Sequence, residues 1–286
     1  MLAPAACVFA DTVADGGPRD VRAFGAVGDG TTLDTAAIQG AIDACARQGG
    51  GTVVFPPGRY RCGTLRLCDD ITVRIQSGAT VLGSRSKADY VARETPPVEH
   101  DADVETTHLL PAIFHADQAR HVTLRGGGVI DVDFTSRGGP KAIALKRCRF
   151  VRIEGLTILN PPNYAISLLG TDDVVVDGVT ILNGFADGID PDSCKNVRIA
   201  NCRVETRDDA IVPKASLALG RRRACENITV TNCVLSTVCN GFKLGTEYGG
   251  GFKHITVSSC VFTGFTDHRP AISGVDVESV DGGDVD

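Results

Sequence analysis

The stretch CKNVRIANCRV, Cys194–Val204, decides the fold, because the chain writes it six times. Its relatives are ARHVTLRGGGVI, CRFVRIEGLTI, TDDVVVDGVTI, CENITVTNCVL and FKHITVSSCVF, and each carries an apolar residue in its fourth place. Those residues are Val122, Val151, Val174, Val197, Ile228 and Ile255, spaced by 29, 23, 23, 31 and 27. Within each segment apolar and polar residues alternate, which is the period of a strand. Short β-branched strands recurring at such a spacing predict a β-solenoid, in which every turn of chain stacks on the last.

A second column runs beside the first. Lys141-Ala-Ile, Tyr164-Ala-Ile, Asp187-Gly-Ile, Asp209-Ala-Ile, Asn240-Gly-Phe and Ser273-Gly-Val recur at offsets of 23, 23, 22, 31 and 33. The two longer offsets predict loops inserted between turns. Ile143, Ile166, Ile189, Ile211, Phe242 and Val275 are expected to point inward, and the residues between the apolar ones to face outward on one sheet surface. That surface is polar in its middle turns, with Asp190, Asp192, Lys214, Lys243 and Glu278 among its members. Asp187 and Asp209 fall one turn apart. Asp208 precedes the strand, so alternation does not send it inward, and all three carboxylates are expected over one groove. Like charges so placed repel, which points to a functional reason for keeping them.

The ends and the totals set limits. Asp34-TAAIQGAIDACARQ-Gly49 has Ala37, Ile38, Ala41, Ile42 and Cys45 on one helical face. It predicts a capping helix over about 34–48 that plugs the N-terminal end of the solenoid. Residues 1–19 are expected to be a leader, disordered or a clipped signal, and 20–286 the solenoid domain. The C-terminal ESVDGGDVD offers no comparable plug, so either the chain is a fragment or something else covers that end. A net charge of -6 leaves no basic footprint for nucleic acid, and no apolar run approaches the roughly 18 residues of a membrane span. Eleven cysteines cannot all pair. Cys148, Cys194 and Cys225 share one repeat position and Cys202, Cys233 and Cys260 another. They read as columns of small buried apolar residues, although turns ~4.8 Å apart leave disulfides open on distance. No His or Cys spacing suggests a metal, and no cofactor is expected.

The opening VRAFGAVGDGTTLDTAAIQGAIDACARQGGGTVVFPPGRY resembles that of the pectin-degrading right-handed parallel β-helix superfamily, all-β solenoids with an N-terminal helix. ADGIDPDSCKNVRI and TRDDAIVPK resemble the two acidic motifs of the polygalacturonase family, glycoside hydrolase family 28. The resemblance implies Asp208 as general acid, with Asp187 and Asp209 activating water and inverting the anomeric centre. It also implies a pectic or related polysaccharide substrate and an extracellular or periplasmic location. Asp190, Lys214, Asn240, Lys243, Glu247 and Glu278 are the expected substrate contacts. Two motifs depart from the family. Its Gly-His-Gly falls on Cys239-Asn240-Gly241, and its Arg-Ile-Lys on Asp276-Val277-Glu278, where acidic residues repel a uronate. A mixed or side-chain-bearing glycan is therefore expected ahead of plain polygalacturonate. The competing readings are a calcium-dependent lyase on the same fold, with Arg207 near its columns, and a glycan-binding solenoid without catalysis.

Overall fold

The computed structural model describes residues 17–95, 111–267 and 269–280. The expected leader falls almost entirely outside these residues, and the last six residues of the C-terminal segment do as well. The chain coils into three parallel sheets. Two have nine strands each, and a third has five that continue, after a break, as a pair. The first sheet contains the repeated segments, including Arg149–Glu154, Asp172–Asp177, Lys195–Ala200, Cys225–Thr231 and Phe252–Ser258. Its register is the one the repeat predicts: Val122 opposes Val151, then Val174, Val197, Ile228 and Ile255 in turn. The first five of these have no exposed surface. Stacked β-branched residues of this kind contribute roughly 1.5–3 kcal/mol each on burial, and the column is the core.

Corners turn on asparagine. Asn160, Asn183, Asn196, Asn201, Asn227 and Asn232 all have φ between 52 and 58°, a left-handed conformation that asparagine tolerates better than most residues. Their side-chain amides hydrogen-bond from rung to rung. Asn196 Nδ2 donates to Asp173 at 2.9 Å, and Asn227 Nδ2 donates to Asn196 Oδ1 at 2.9 Å. The period thus has a polar anchor at the corner as well as an apolar one inside.

The helix spans Thr35–Ala46 and buries Ile38, Ala41, Ile42, Ala44 and Cys45 against the first rungs. Asp34 stands just before it but does not cap it. Its buried carboxylate accepts hydrogen bonds from the backbone N–H groups of Val27 and Gly28 at 2.7 and 3.0 Å. At the other end, the strand Ser273–Val277 pairs with Asn240–Leu244 only, and no described strand lies on its outer edge. Val275 was expected inside but is 55% exposed there. All ten described cysteines are free thiols, seven of them buried.

The third sheet carries the second column. Ile166 opposes Ile189, Ser167 opposes Asp190, and Leu169 opposes Asp192. Beyond Asp192 the ladder thins to single bridges, Ile189 to Ile211, Asp192 to Lys214 and Ile211 to Phe242. Pro213 has no N–H to give a ladder, and the chain there runs as an irregular rung between two regular ones. Replacing Asn196 by valine removes two side-chain hydrogen bonds and puts a β-branched residue at positive φ. Urea unfolding is expected to show a loss of about 2–4 kcal/mol, with a smaller loss for glycine.

Candidate functional site

The irregular rung is where the acidic residues gather. Backbone hydrogen bonds set their heights: Ala165 N–H donates to Asp187 C=O at 3.1 Å, Gly188 N–H to Asp209 C=O at 2.9 Å, and Ala210 N–H to Asn240 C=O at 2.9 Å. Gly188 lets these rungs close up, since a Cβ there would lie 2.3 Å from the Ala210 carbonyl. Asp208 sits just off the ladder. Its carbonyl accepts from the Thr206 and Thr237 hydroxyls, and its carboxylate accepts from the Asp209 N–H at 3.0 Å. The three aspartates thus come from two adjacent turns, and the charges of Asp208 and Asp209 both act on Asp187.

Each has its own partners. Lys214 Nζ lies 3.1 Å from Asp187, 3.4 Å from Asp190 and 3.8 Å from Glu247, and it donates to the Tyr164 hydroxyl at 3.0 Å. The Tyr164 ring is flanked by two cations, Lys214 Nζ at 4.5 Å and Lys141 Nζ at 4.6 Å from its centroid. Asp209 accepts from Asn240 Nδ2 at 2.8 Å and faces Lys243 Nζ at 3.3 Å. Lys243 also reaches Glu278 at 2.8 Å. Asp208 is ion-paired with Arg137.

All nine expected residues belong to this one network, but their setting differs from a solvated sheet face. Asp187, Asp190, Asp209, Lys214, Asn240, Lys243 and Glu247 are each at most 8% exposed. The inserted loops cause this. Ala215 N–H donates to Glu247 C=O at 2.9 Å and Gly250 N–H to Ala215 C=O at 2.8 Å, so the chain after Leu244 lies over the chain after Lys214. Lys214, expected to meet substrate, is held among three carboxylates and a phenol. Asp192, a member of the expected polar surface, accepts from Ser216 N–H and Ser193 Oγ, both at 2.9 Å, and from Ser216 Oγ. It anchors the inserted loop.

Burial shapes the acid–base behaviour. It pushes the Asp187 carboxyl up to about 7, against the pull of Lys214 and with a further push from Asp208 and Asp209. Burial, then the charge of Asp187, holds Asp190 far above the usual carboxylate range. Both Asp190 carboxylate oxygens are buried without a hydrogen-bond partner, although Lys214 Nζ lies 3.4 Å away. Burial, then the charge of Asp209, raises the Cys239 thiol, which is therefore a neutral group beside that aspartate.

Sequence reasoning missed two members. Arg137 stands 71 residues from Asp208 on a loop that no periodicity marks. Cys239 was noted only as a motif position, yet one ligand-capable atom from each of Asp208, Asp209 and Cys239 lies within 4.8 Å of the others. Ligand spacing along the chain did not reveal that set, because the sulfur comes from the next rung. Arg207, the basic residue noted for a lyase, is clamped between the Phe185 and Phe265 rings, 4.7 Å from each, and donates to Asn183 at 2.7 Å.

The family model described as glycosyl hydrolases family 28 matches residues 101–260, and one described as rhamnogalacturonase A/epimerase, pectate lyase-like, matches residues 18–74. The chain is 26% identical over 266 residues to a probable polygalacturonase of Vitis vinifera, covering 83% of this chain and 53% of that protein. It is 25% identical over 303 residues to an exo-poly-alpha-D-galacturonosidase of Dickeya chrysanthemi, covering 85% of this chain and 50% of that protein. The chain therefore spans about half the length of these curated relatives. A family 28 exopolygalacturonase of Yersinia enterocolitica superposes with a TM-score of 0.78 at 22% identity, covering 95% of this chain and 57% of that one. At that identity the likeness shows the fold, and the expected right-handed parallel β-helix with its N-terminal helix holds.

The buried carboxyls give stability a particular pH dependence. Asp187, Asp190 and Asp192 are all raised by burial in the folded chain. Each contributes stability that is fully present below about pH 4 and lost as pH rises through its folded value, about 7 for Asp187. Groups lowered by partners, such as Asp133 and Glu226, act with the opposite sign and below about pH 4.5. Urea unfolding is thus expected to show stability falling between about pH 5 and about pH 7. Asp190→Asn, which keeps a hydrogen-bond donor and removes one titration, should make that fall shallower; an unchanged slope would contradict the assignment.

Proposed function

Because the chain belongs to glycosyl hydrolases family 28, we propose that it hydrolyses glycosidic bonds of a pectic polysaccharide by an inverting, two-carboxylate mechanism. The observation that supports this reading is the gathering of Asp187, Asp208 and Asp209 on two adjacent turns, fixed by the backbone ladder. Inverting hydrolysis needs one carboxylic acid to protonate the leaving oxygen and a carboxylate to activate water on the opposite face. Asp208 is the most accessible of the three and is assigned as the acid. Asp187 and Asp209 hold and deprotonate the water. An aspartate whose proton affinity is raised to about 7 is a stronger base than an ordinary one, which suits Asp187 to that role.

The surrounding groups act through the aspartates. Lys214 favours the ionised form of Asp187 and, by reaching Asp190 as well, holds the two carboxyls together. Asn240 and Lys243 hold Asp209, and Lys243 spans to Glu278 at the rim. Glu278, the most exposed of these groups, with Lys243 and Asn240 linked to it through Asp209, are the proposed sugar contacts, whereas Lys214, Asp190 and Glu247 are better suited to positioning. The clamped state of Arg207 weighs against a lyase, which needs a mobile basic residue at the uronate α-carbon.

The substrate is a polymer of plant cell walls or related matrices, which favours work outside the cytoplasm. Among the described residues no helix is long and apolar enough to cross a membrane. The expected result for Asp208→Asn is a loss of about 10²–10⁴-fold in reducing-end release from pectic polymers, with Tm within about 2 °C of the parent. Retained release would remove Asp208 as the acid.

A further inference from the structure

Three of the repeat's cysteines stand one above another. Cys202, Cys233 and Cys260 each precede a strand of the second nine-stranded sheet, Arg203–Thr206, Val234–Thr237 and Val261–Gly264. Arg203 opposes Val234 and Val234 opposes Val261, so the cysteines before them are in register. The ladder reaches the cysteines themselves: Val234 N–H donates to Cys202 C=O and Val261 N–H to Cys233 C=O, both at 2.9 Å. The side chains share one orientation as well. Each thiol donates to the carbonyl two residues earlier, those of Ala200, Thr231 and Ser258, at 3.1, 3.2 and 3.2 Å. Neighbouring Cα atoms at the ~4.8 Å ladder spacing fall inside the roughly 4.4–6.8 Å that a disulfide spans. Cys202 and Cys233 belong to the apolar core, and Cys260 packs against it.

Access separates this column from the other one. Cys194 and Cys225 also occupy adjacent turns, but neither has any exposed surface, and their thiols donate to the interior carbonyls of Asp192 and Pro191 at 3.2 and 3.3 Å. They behave as small buried apolar residues. Cys260 is only half-buried, and the strands on either side of it are the last of their sheets among the described residues. The column thus runs from solvent at Cys260 inward to Cys202. The Cys202 thiol, against the opposing effect of burial and with help from Cys260, brings the Cys233 thiol down to about 7. The thiolate is the attacking form of cysteine, so a nucleophile stands beside the accessible sulfur.

We infer that Cys233 and Cys260 are an oxidative modification site, which a peroxide converts into a disulfide staple across the last two turns. The inference does not rest on the hydrolase reading. In the first step the O–O bond of hydrogen peroxide breaks, the Cys260 sulfur takes one oxygen as a sulfenic acid, and one water leaves. In the second, the Cys233 sulfur attacks that sulfenic acid, the S–S bond forms, the S–O bond breaks, and the departing hydroxide takes the Cys233 proton as a second water. Two thiols thereby lose two electrons and two protons, and the peroxide gains them. Only the two weak S–H···O contacts to Thr231 and Ser258 are given up. The staple lies at the root of the site. The strand after Cys233 leads to Asn240 and Lys243, which hold Asp209, and the chain after Cys260 leads to Glu278, which Lys243 reaches. Closing it ties those two turns together at an edge that no further described strand covers.

Non-reducing peptide mapping of the whole chain tests this, after brief treatment of the folded protein with hydrogen peroxide and alkylation of the remaining thiols in denaturant. The parent is expected to yield a Cys233–Cys260 link, with Cys194 and Cys225 recovered alkylated. In Cys233→Ala, Cys260 is expected to stop at the sulfenic acid, which dimedone labels. In Cys260→Ser, Cys233 is expected to remain a thiol. The oxidised parent is expected to melt about 5–10 °C above the reduced one. Dithiothreitol should reverse that shift, and Cys260→Ser should lack it. A link between other cysteines in place of this one, or an unlinked Cys260 in the treated parent, whether oxidised or still a thiol, overturns the inference. So does a linked protein that melts no higher than the reduced one. The map of the parent decides the matter even where Cys233→Ala fails to fold.

Discussion

Every functional statement about this protein depends on one constraint, the parallel stacking of successive turns at the ~4.8 Å spacing of a backbone ladder. A ladder at that spacing leaves no choice about which side chains become neighbours. Once Ile166 opposes Ile189 and Ile189 bridges to Ile211, the residues two places earlier, Tyr164, Asp187 and Asp209, must form a column as well. Apolar columns inside the coil supply the free energy, and asparagine amides at the corners fix the register. Together they hold like charges at a distance those charges would not choose.

The cost of that proximity is met locally. Buried carboxylates need partners or protons, and this site uses both. Lys214 serves Asp187, Asp190 and Glu247, Lys243 serves Asp209 and Glu278, and burial holds Asp190 far above the usual carboxylate range, which favours its protonated form. The arrangement separates the three central aspartates by environment. Asp187 is buried beside a cation, Asp209 is buried beside an amide and a cation, and Asp208 is partly exposed beside a guanidinium on a loop. Different environments for like groups are what acid–base chemistry on paired carboxylates requires.

Much of this was legible in the sequence, for a physical reason. A solenoid maps sequence period directly onto spatial neighbours, so Val122 through Ile255 and Ile143 through Phe242 could be aligned without coordinates. The capping helix was legible from its own 3.6 period. What stayed hidden had no period. The loops after Lys214 and Leu244 were visible as long offsets, but not that they pack on each other and bury the column. Arg137 comes from a loop whose position depends on tertiary packing. Asp192 was legible as a member of the polar column, but not that Ser216 of the inserted loop claims it. Val275 was aligned correctly in register, but alignment does not say whether another rung covers it.

On the proposed mechanism, three aspartates placed by coil stacking run a single-displacement hydrolysis at an anomeric carbon. Proton NMR of the first product released from an α-linked galacturonide oligomer tests it most directly, recorded before mutarotation equilibrates the sugar. Inversion at the anomeric carbon makes the new reducing end appear first as the β-anomer. An initial α-anomer, or an unsaturated product formed by elimination, would contradict it.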